Sequence, residues 1–154
     1  MVQRLLVANR GEIAVRVLRT AAELGIHTVA VYSEDDASSL HLRRADETYP
    51  LRGVGPAAYL DIEQIVRAAR ERGCDAIHPG YGLLSEHPAF ARRCLDAGLT
   101  FVGPDPDTLA LLGNKVQARD LAARHGIPVL AGTPAPLTPA AARDFLASLG
   151  PGAA

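Results

Sequence analysis

RLLVANRGEIAVRVLRTAAELGIHTVAVYS, residues 4–33, carries the pattern that decides the fold. RLLVANR (4–10) is a short apolar run closed by Asn9-Arg10-Gly11. From Gly11 to Leu24 the apolar spacing turns helical: Ile13, Val17, Ala21 and Leu24 fall on one face, and Arg16, Arg19 and Glu23 on the other. Gly25 stands where a helix ends in a left-handed residue. HTVAVYS (27–33) is a second apolar run, rich in Val. Two strands joined through a helix pair in parallel, because the crossover passes over a face of the sheet.

The alternation continues to about residue 103. EDDASSLHLRRADE is polar, with a short helix expected around Ser39–Arg44. ETYPL (47–51) is a brief strand whose Pro50 suits an edge or a strand end. RGVGPAA reads as a loop, and YLDIEQIVRAARERG (59–73) as a helix with Ile62, Ile65, Val66 and Ala69 inward and Gly73 as its stop. CDAIHPG reads as a strand. SEHPAFARRCLDAG (85–98) reads as a helix with Ser85 as N-cap and Pro88 in its first turn, and LTFVGP (99–104) as a strand. Residues 1–103 are therefore expected to form an α/β domain: an open parallel sheet, Rossmann-like, with helices on both faces. Ligands of such sheets sit at the carboxyl ends of the strands, so the informative loops are ANRGE, YSEDD, HPGYG and VGPDPD.

After Gly103 the rhythm changes. DPDTLALLGN and Lys115–His125 read as short helices, IPVLAGTPAP as extended chain, and LTPAAARDFLASLG as a helix capped by Thr138 with Pro139 at its first position. Residues 104–154 are expected to be a helical linker and the opening of a second domain.

Composition narrows the function classes. A chain of 154 residues with 48% hydrophobic content is not disordered. Its 16 basic and 17 acidic residues make no basic field for nucleic acid and no polybasic patch for a membrane. No apolar run is long enough to cross a bilayer, and MVQRLLVANRGE meets charge too early for a signal peptide, so a cytoplasmic location is expected. Cys74 and Cys94 lie far apart without a CxxC or a paired His motif, and read as buried thiols rather than a zinc site or a disulfide. His27, His41, His78, His87 and His125 form no i,i+4 pair and no HExxH, and GxSxG is absent.

Three places remain for chemistry. ANRGE (8–12) opens a helix after a strand, where amides hold an anion or the turn is simply tight. In HPGYG (78–82), Gly80 and Gly82 permit positive φ and close backbone approach around Tyr81. Tyr81 then stacks on a ligand at the sheet edge, or only caps the core. Lys115 opens a helix, against the dipole, so it is either solvated or beside an anionic ligand. His78, at a strand end, is functional or a hydrogen-bonded structural histidine.

The motifs taken together go further. LLVANRGEIAVRVLRTAAELGIHTVAVYSEDD, ADE (45–47), YLDIEQI, AIHPGYGLLSE, FVGP and LGNKVQAR, in this order, resemble biotin carboxylase over essentially the whole chain. That family is the ATP-dependent part of acyl-CoA, pyruvate and urea carboxylases. The resemblance implies an N-terminal α/β domain followed by an ATP-grasp domain. The implied reaction uses ATP with Mg²⁺ or Mn²⁺ to activate bicarbonate, and passes the carboxyl group to biotin on a carrier protein or domain. A carboxyltransferase, which chooses the acyl acceptor, is the other implied partner. By this resemblance Tyr81, with Gly80 and Gly82, lies on the biotin side of the site. Lys115 contacts the phosphates of ATP, and Arg16, Arg19 and Glu23 belong to a homodimer surface on the first helix.

Leu83-Leu84 stands where the family usually has Phe-Leu, His87 where it has Asn, Asn114 where it has Asp, and GTPAP (132–136) where Gly-Ser-Asp-Gly is common. The metal ligands and catalytic residues of the family are expected beyond Ala154, so the 154 residues alone are expected to be inactive. Two further readings compete: a dimerisation or interaction module that kept the fold without the chemistry, and a generic mononucleotide- or dinucleotide-binding domain. The missing GxGxxG after the first strand speaks against a dinucleotide.

Overall fold

A computed structural model describes residues 1–133 and 138–150. Of the GTPAP segment, residues 134–136 lie outside the described residues. The chain divides into two compact units, Met1–Ala110 and Leu111–Ala154.

The first unit is built on a five-stranded sheet. Its strands are β1 (Arg4–Val7), β2 (His27–Tyr32), β3 (Glu47–Pro50), β4 (Ala76–His78) and β5 (Thr100–Phe101). The order is β3-β2-β1-β4-β5 and every pairing is parallel. The chain therefore runs outward from β1 to one edge, then returns to the other side of β1. Pro50 ends the edge strand β3, where its missing N–H costs no ladder bond.

Successive side chains of β1 point to opposite faces. Leu5 and Val7 face α1 (Gly11–Glu23), joining Ala14, Leu18, Ala21, Ala30 and Ala76 in one apolar cluster. Leu6 and Ala8 face the larger cluster on the other side. That side is covered by α2 (Gly55–Tyr59), α3 (Ile62–Glu71) and α4 (Pro88–Asp96). The ring of Phe90 meets that of Phe101 edge to face at 5.7 Å, joining α4 to β5.

The structure corrects the sequence reading in several places. The buried row of α1 is Ala14, Leu18 and Ala21; Ile13 and Val17 lie on its flank, and Leu24 is the C-cap, 69% exposed. Helical periodicity leaves two adjacent rows to choose from, and the sheet takes the one whose alanines allow the closest approach. RGVGPAA is not only loop, because α2 starts at Gly55. The helix read from residue 59 begins at Ile62, where the Asp61 carboxylate accepts from the Gln64 amide at 3.0 Å. Ser85 is not an N-cap: α4 starts at Pro88, and His87 before it is held extended as a residue before proline is. Ser85 instead closes a turn, its amide donating to Gly82 O at 2.8 Å.

At the amino edge of the sheet Glu47 accepts from Arg4 at 2.5 Å and from Arg72 at 3.3 Å, with His27 Nε2 at 3.2 Å. The ADE motif thus ties β1, β2 and α3 beneath the sheet, away from its carboxyl edge. Cys74 and Cys94 are buried, and burial pushes their thiols up to about 11 and about 12.

Helix α5 (Pro106–Gly113) leads to the second unit, which holds α6 (Lys115–Arg124) and α7 (Pro139–Ser148). The Asn114 side chain caps α6 by accepting from the amides of Val116 and Gln117. Thr138 caps α7 through the Ala141 amide, with proline at the helix start. Neither helix buries a residue. Among the described residues no helix is long and apolar enough to cross a membrane.

Phe90→Ala is expected to lower the unfolding free energy by about 3–5 kcal/mol, because a fully buried aromatic leaves a cavity. Urea denaturation followed by circular dichroism measures it.

Candidate functional site

Because the chain winds outward from β1 to one edge and then returns to β4 on its other side, the carboxyl ends of β1 and β4 form the switch point of the sheet. Open α/β sheets bind ligands at such a point. The strands end in register, Val7 opposite His78, with the Ala8 amide donating to His78 O at 2.9 Å. Asn9, the second residue after β1, therefore lies beside the turn after β4.

Asn9 is 4% exposed and fully engaged. Its Nδ2 donates to Pro79 O at 2.8 Å and to Tyr81 O at 2.9 Å. Its Oδ1 accepts from the Arg10 amide at 2.9 Å. Between the two carbonyls, Gly80 has φ +69°, and a Cβ there would come within 2.5 Å of Asn9 Nδ2. Glycine is required twice at this position, by backbone conformation and by space.

The imidazole of His78 supports the same turn. Its Nδ1 accepts from the Gly80 amide at 2.9 Å, which places the ring proton on Nε2. Burial lowers its pKa below the usual 6.5, in keeping with a neutral ring. His78 also lines an apolar cavity of about 400 Å³ between α1 and the sheet, with Val17, Leu24, Ile26 and Val102.

The turn presents Tyr81 outward, 75% exposed. Gly82 follows at φ +63° with open space where a Cβ would sit. Leu83 is also left-handed, at φ 46°, which lets Leu84 turn inward to a buried position. So Gly80, Tyr81 and Gly82 come together as the sequence placed them. The reading of Tyr81 as a mere cap on the core does not fit its exposure.

A second set of contacts fixes the neighbouring loop. Arg10 Nε pairs with Asp36 Oδ2 at 3.1 Å, and its guanidinium lies 5.7 Å from the centre of the Tyr59 ring. The Tyr59 hydroxyl donates to Asp36 Oδ2 at 2.8 Å, and burial followed by this bond pushes its pKa up to about 12. Asp35 accepts from the Gly55 amide, which together with Ser33 holds its carboxyl below the usual range. The acidic stretch after β2 is thus occupied with structure.

Arg16, Arg19 and Glu23 lie exposed along α1, and Arg19 pairs with Glu23 at 3.1 Å along the helix. Lys115 belongs to the second unit, exposed at the first position of α6, and no carboxylate among the described residues pairs with it. Sequence reasoning missed Asn9. The ANRGE turn was noticed for its glycine, while the side chain that matters precedes it and finds its partners about seventy residues away.

Comparison with known proteins fits this geometry. The family model described as biotin carboxylase, N-terminal domain, matches residues 1–109. The chain is 51% identical over 139 residues to mitochondrial pyruvate carboxylase of Homo sapiens, covering 89% of this chain and 12% of that protein. It superposes on the biotin carboxylase domain of a single-chain bacterial carboxylase with a TM-score of 0.92 and 54% identity, covering 96% of this chain and 34% of the other. The biotin carboxylase domain dimer of Hydrogenobacter thermophilus 2-oxoglutarate carboxylase, solved with MgADP, ADP and bicarbonate, superposes with a TM-score of 0.92 at 42% identity, covering 97% and 33%. The chain thus spans about an eighth of the length of the curated relative and a third of each solved domain.

The lowered pKa of His78 gives the pH response a sign. The unfolded chain takes up this proton more readily than the folded one, so stability is complete above pH 6.5 and falls as pH drops through that value. Urea midpoints at pH 7.5 and 5.5 are expected to differ, and to differ less in His78→Asn.

Proposed function

The chain belongs to the biotin carboxylase N-terminal domain family, and on that footing we propose that it serves an enzyme that carboxylates carrier-linked biotin with ATP and bicarbonate. The observation that carries the reading is Tyr81, an exposed aromatic on a hydrogen-bonded glycine turn at the switch point of a parallel sheet. Its ring offers a flat apolar face to the biotin ring. Gly80 and Gly82 keep the turn free of side chains beside it, and the space at Gly82 is open.

ATP supplies the phosphoryl group that activates bicarbonate. Lys115, exposed at the start of α6 and paired with no carboxylate among the described residues, is assigned to its phosphates as a cation. Among the described residues no group of His, Cys, Asp or Glu could hold a metal ion, so the Mg²⁺ or Mn²⁺ is assigned to none of them. We divide the chain into the α/β domain, residues 1–103, and the opening of the ATP-grasp domain from residue 104. A biotin carboxyl carrier and a carboxyltransferase are the partners this chemistry requires.

We also assign the outward face of α1, with Arg16, Arg19 and Glu23, to a homodimer interface. The Arg19–Glu23 pair is exposed and contributes little to the isolated helix, so its charges are available to a second copy.

Tyr81→Ala in the native protein is expected to raise KM for free biotin about tenfold while KM for ATP stays the same, as loss of one aromatic stacking contact requires. Lys115→Gln is expected to do the reverse, raising KM for ATP about tenfold or more. Unchanged biotin kinetics in Tyr81→Ala overturn the assignment of the turn. Charge reversal at Arg16 and Arg19 together is expected to move the native protein toward a slower-sedimenting species in analytical ultracentrifugation, with no loss of helical signal.

A further inference from the structure

Tyr81 raises a positioning problem. It is 75% exposed, and among the described residues its side chain makes no hydrogen bond, ion pair or ring contact. With the ring so exposed, the backbone chiefly sets where it stands. That backbone is glycine on both sides, the least restricted residue there is. A glycine-flanked turn with a free aromatic would sample many orientations, and a ligand stacking on it would have to order it first.

Two peptide groups of the turn, Pro79–Gly80 and Tyr81–Gly82, are nevertheless held by side chains. Pro79 O and Tyr81 O each accept from Asn9 Nδ2, and the Gly80 N–H donates to His78 Nδ1. Both protons of the Asn9 amide are used on the turn, and its oxygen is used on the Arg10 amide, so the side chain cannot rotate without losing a bond. Aspartate has no proton to donate to the two carbonyls. Glutamine is a methylene longer, and the space toward Gly80 is already filled. Asn9 is further anchored by its neighbour, since Arg10 is paired to Asp36 at 3.1 Å.

We propose that Asn9 and His78 are positioning residues that preorganise Tyr81 for the biotin ring. Neither touches the ligand. Asn9 fixes the Pro79–Gly80 and Tyr81–Gly82 peptides through their carbonyls, and His78 holds the first of them a second time through the Gly80 N–H. The Cα–Cβ direction of Tyr81 follows from the resulting backbone. This inference rests on the assignment of Tyr81 to biotin made above, and the test separates the two.

The experiment compares Asn9→Ala, His78→Leu, His78→Asn and Tyr81→Ala in the native protein. KM is measured for free biotin and for ATP, and hydrogen exchange is followed at the Gly80–Gly82 amides. Asn9→Ala and His78→Leu are expected to raise KM for biotin about tenfold, to leave KM for ATP in place and to speed exchange in the turn, as loss of preorganisation does. His78→Asn keeps an acceptor near the Nδ1 position and is expected to recover most of the biotin affinity. A general weakening of the fold would move both KM values and would not be rescued by His78→Asn; that result overturns the proposal. So does a rise of biotin KM in Tyr81→Ala without one in Asn9→Ala and His78→Leu. If Tyr81→Ala itself leaves biotin KM unchanged, the assignment of Tyr81 to biotin has failed. Exchange at the Gly80 amide then decides the positioning role: faster in the variants sustains it, unchanged overturns it. Should Asn9→Ala fail to fold, the His78 pair carries the same comparison.

Discussion

One buried side-chain amide organises the carboxyl edge of this sheet. Asn9 leaves the central strand and gives its protons to two carbonyls of a turn that comes from a different part of the chain. Leaving the buried Pro79 carbonyl unpaired would cost about 1–3 kcal/mol, and the second bond, to the part-buried Tyr81 carbonyl, ties the geometry of one loop to that of the other. Glycine at position 80 is a consequence: Asn9 occupies the volume that any larger residue would need. The exposure of Tyr81 is another, since the turn cannot fold its ring inward while its backbone is held.

The same edge is tied laterally. Arg10, adjacent to Asn9, reaches the loop after β2 through Asp36, and Tyr59 closes that set from α2 with its hydroxyl. Loops that carry ligands are usually the least ordered parts of an α/β domain. Here those leaving β1, β2 and β4 are joined by side chains rooted in one dipeptide, Asn9-Arg10. The opposite edge is held in a different way, by the charged cluster of Arg4, Glu47, Arg72 and His27. The polar motifs of the sequence thus divide between an edge that carries a site and an edge that locks strands.

How much of this was legible beforehand varied by element. Strand and helix order was visible because the parallel sheet buries both faces of its central strands and so writes apolar runs such as LLVA and TVAV. A cap was legible where the capping side chain acts on its own helix, as at Thr138; Asn114, which caps α6 in the same way, was not read as one. Ser85 was misread because a residue of the right type stood just before an apolar run. Local chemistry offered two starts for α4, and the left-handed Gly82 and Leu83 used up the residues between them. The buried row of α1 was misplaced by one position, since periodicity gives the spacing of a helical face but not which of two adjacent rows meets the sheet.

The residue pattern of the chain already set the parallel α/β class, the order of elements, and a glycine-bracketed tyrosine at the end of a strand. It did so because hydrophobic period, proline and glycine act within a few residues of where they stand. It took the folded chain to show that Asn9 holds that tyrosine's turn, that His78 is an acceptor rather than a ligand-facing base, and that the acids after β2 serve Arg10, Tyr59 and neighbouring amides. The Asn9 and Asp36 contacts join groups tens of residues apart, and hydrogen bonds across such a distance leave no period in the sequence; the His78 bond spans only two residues, but the fold sets which ring nitrogen meets the turn.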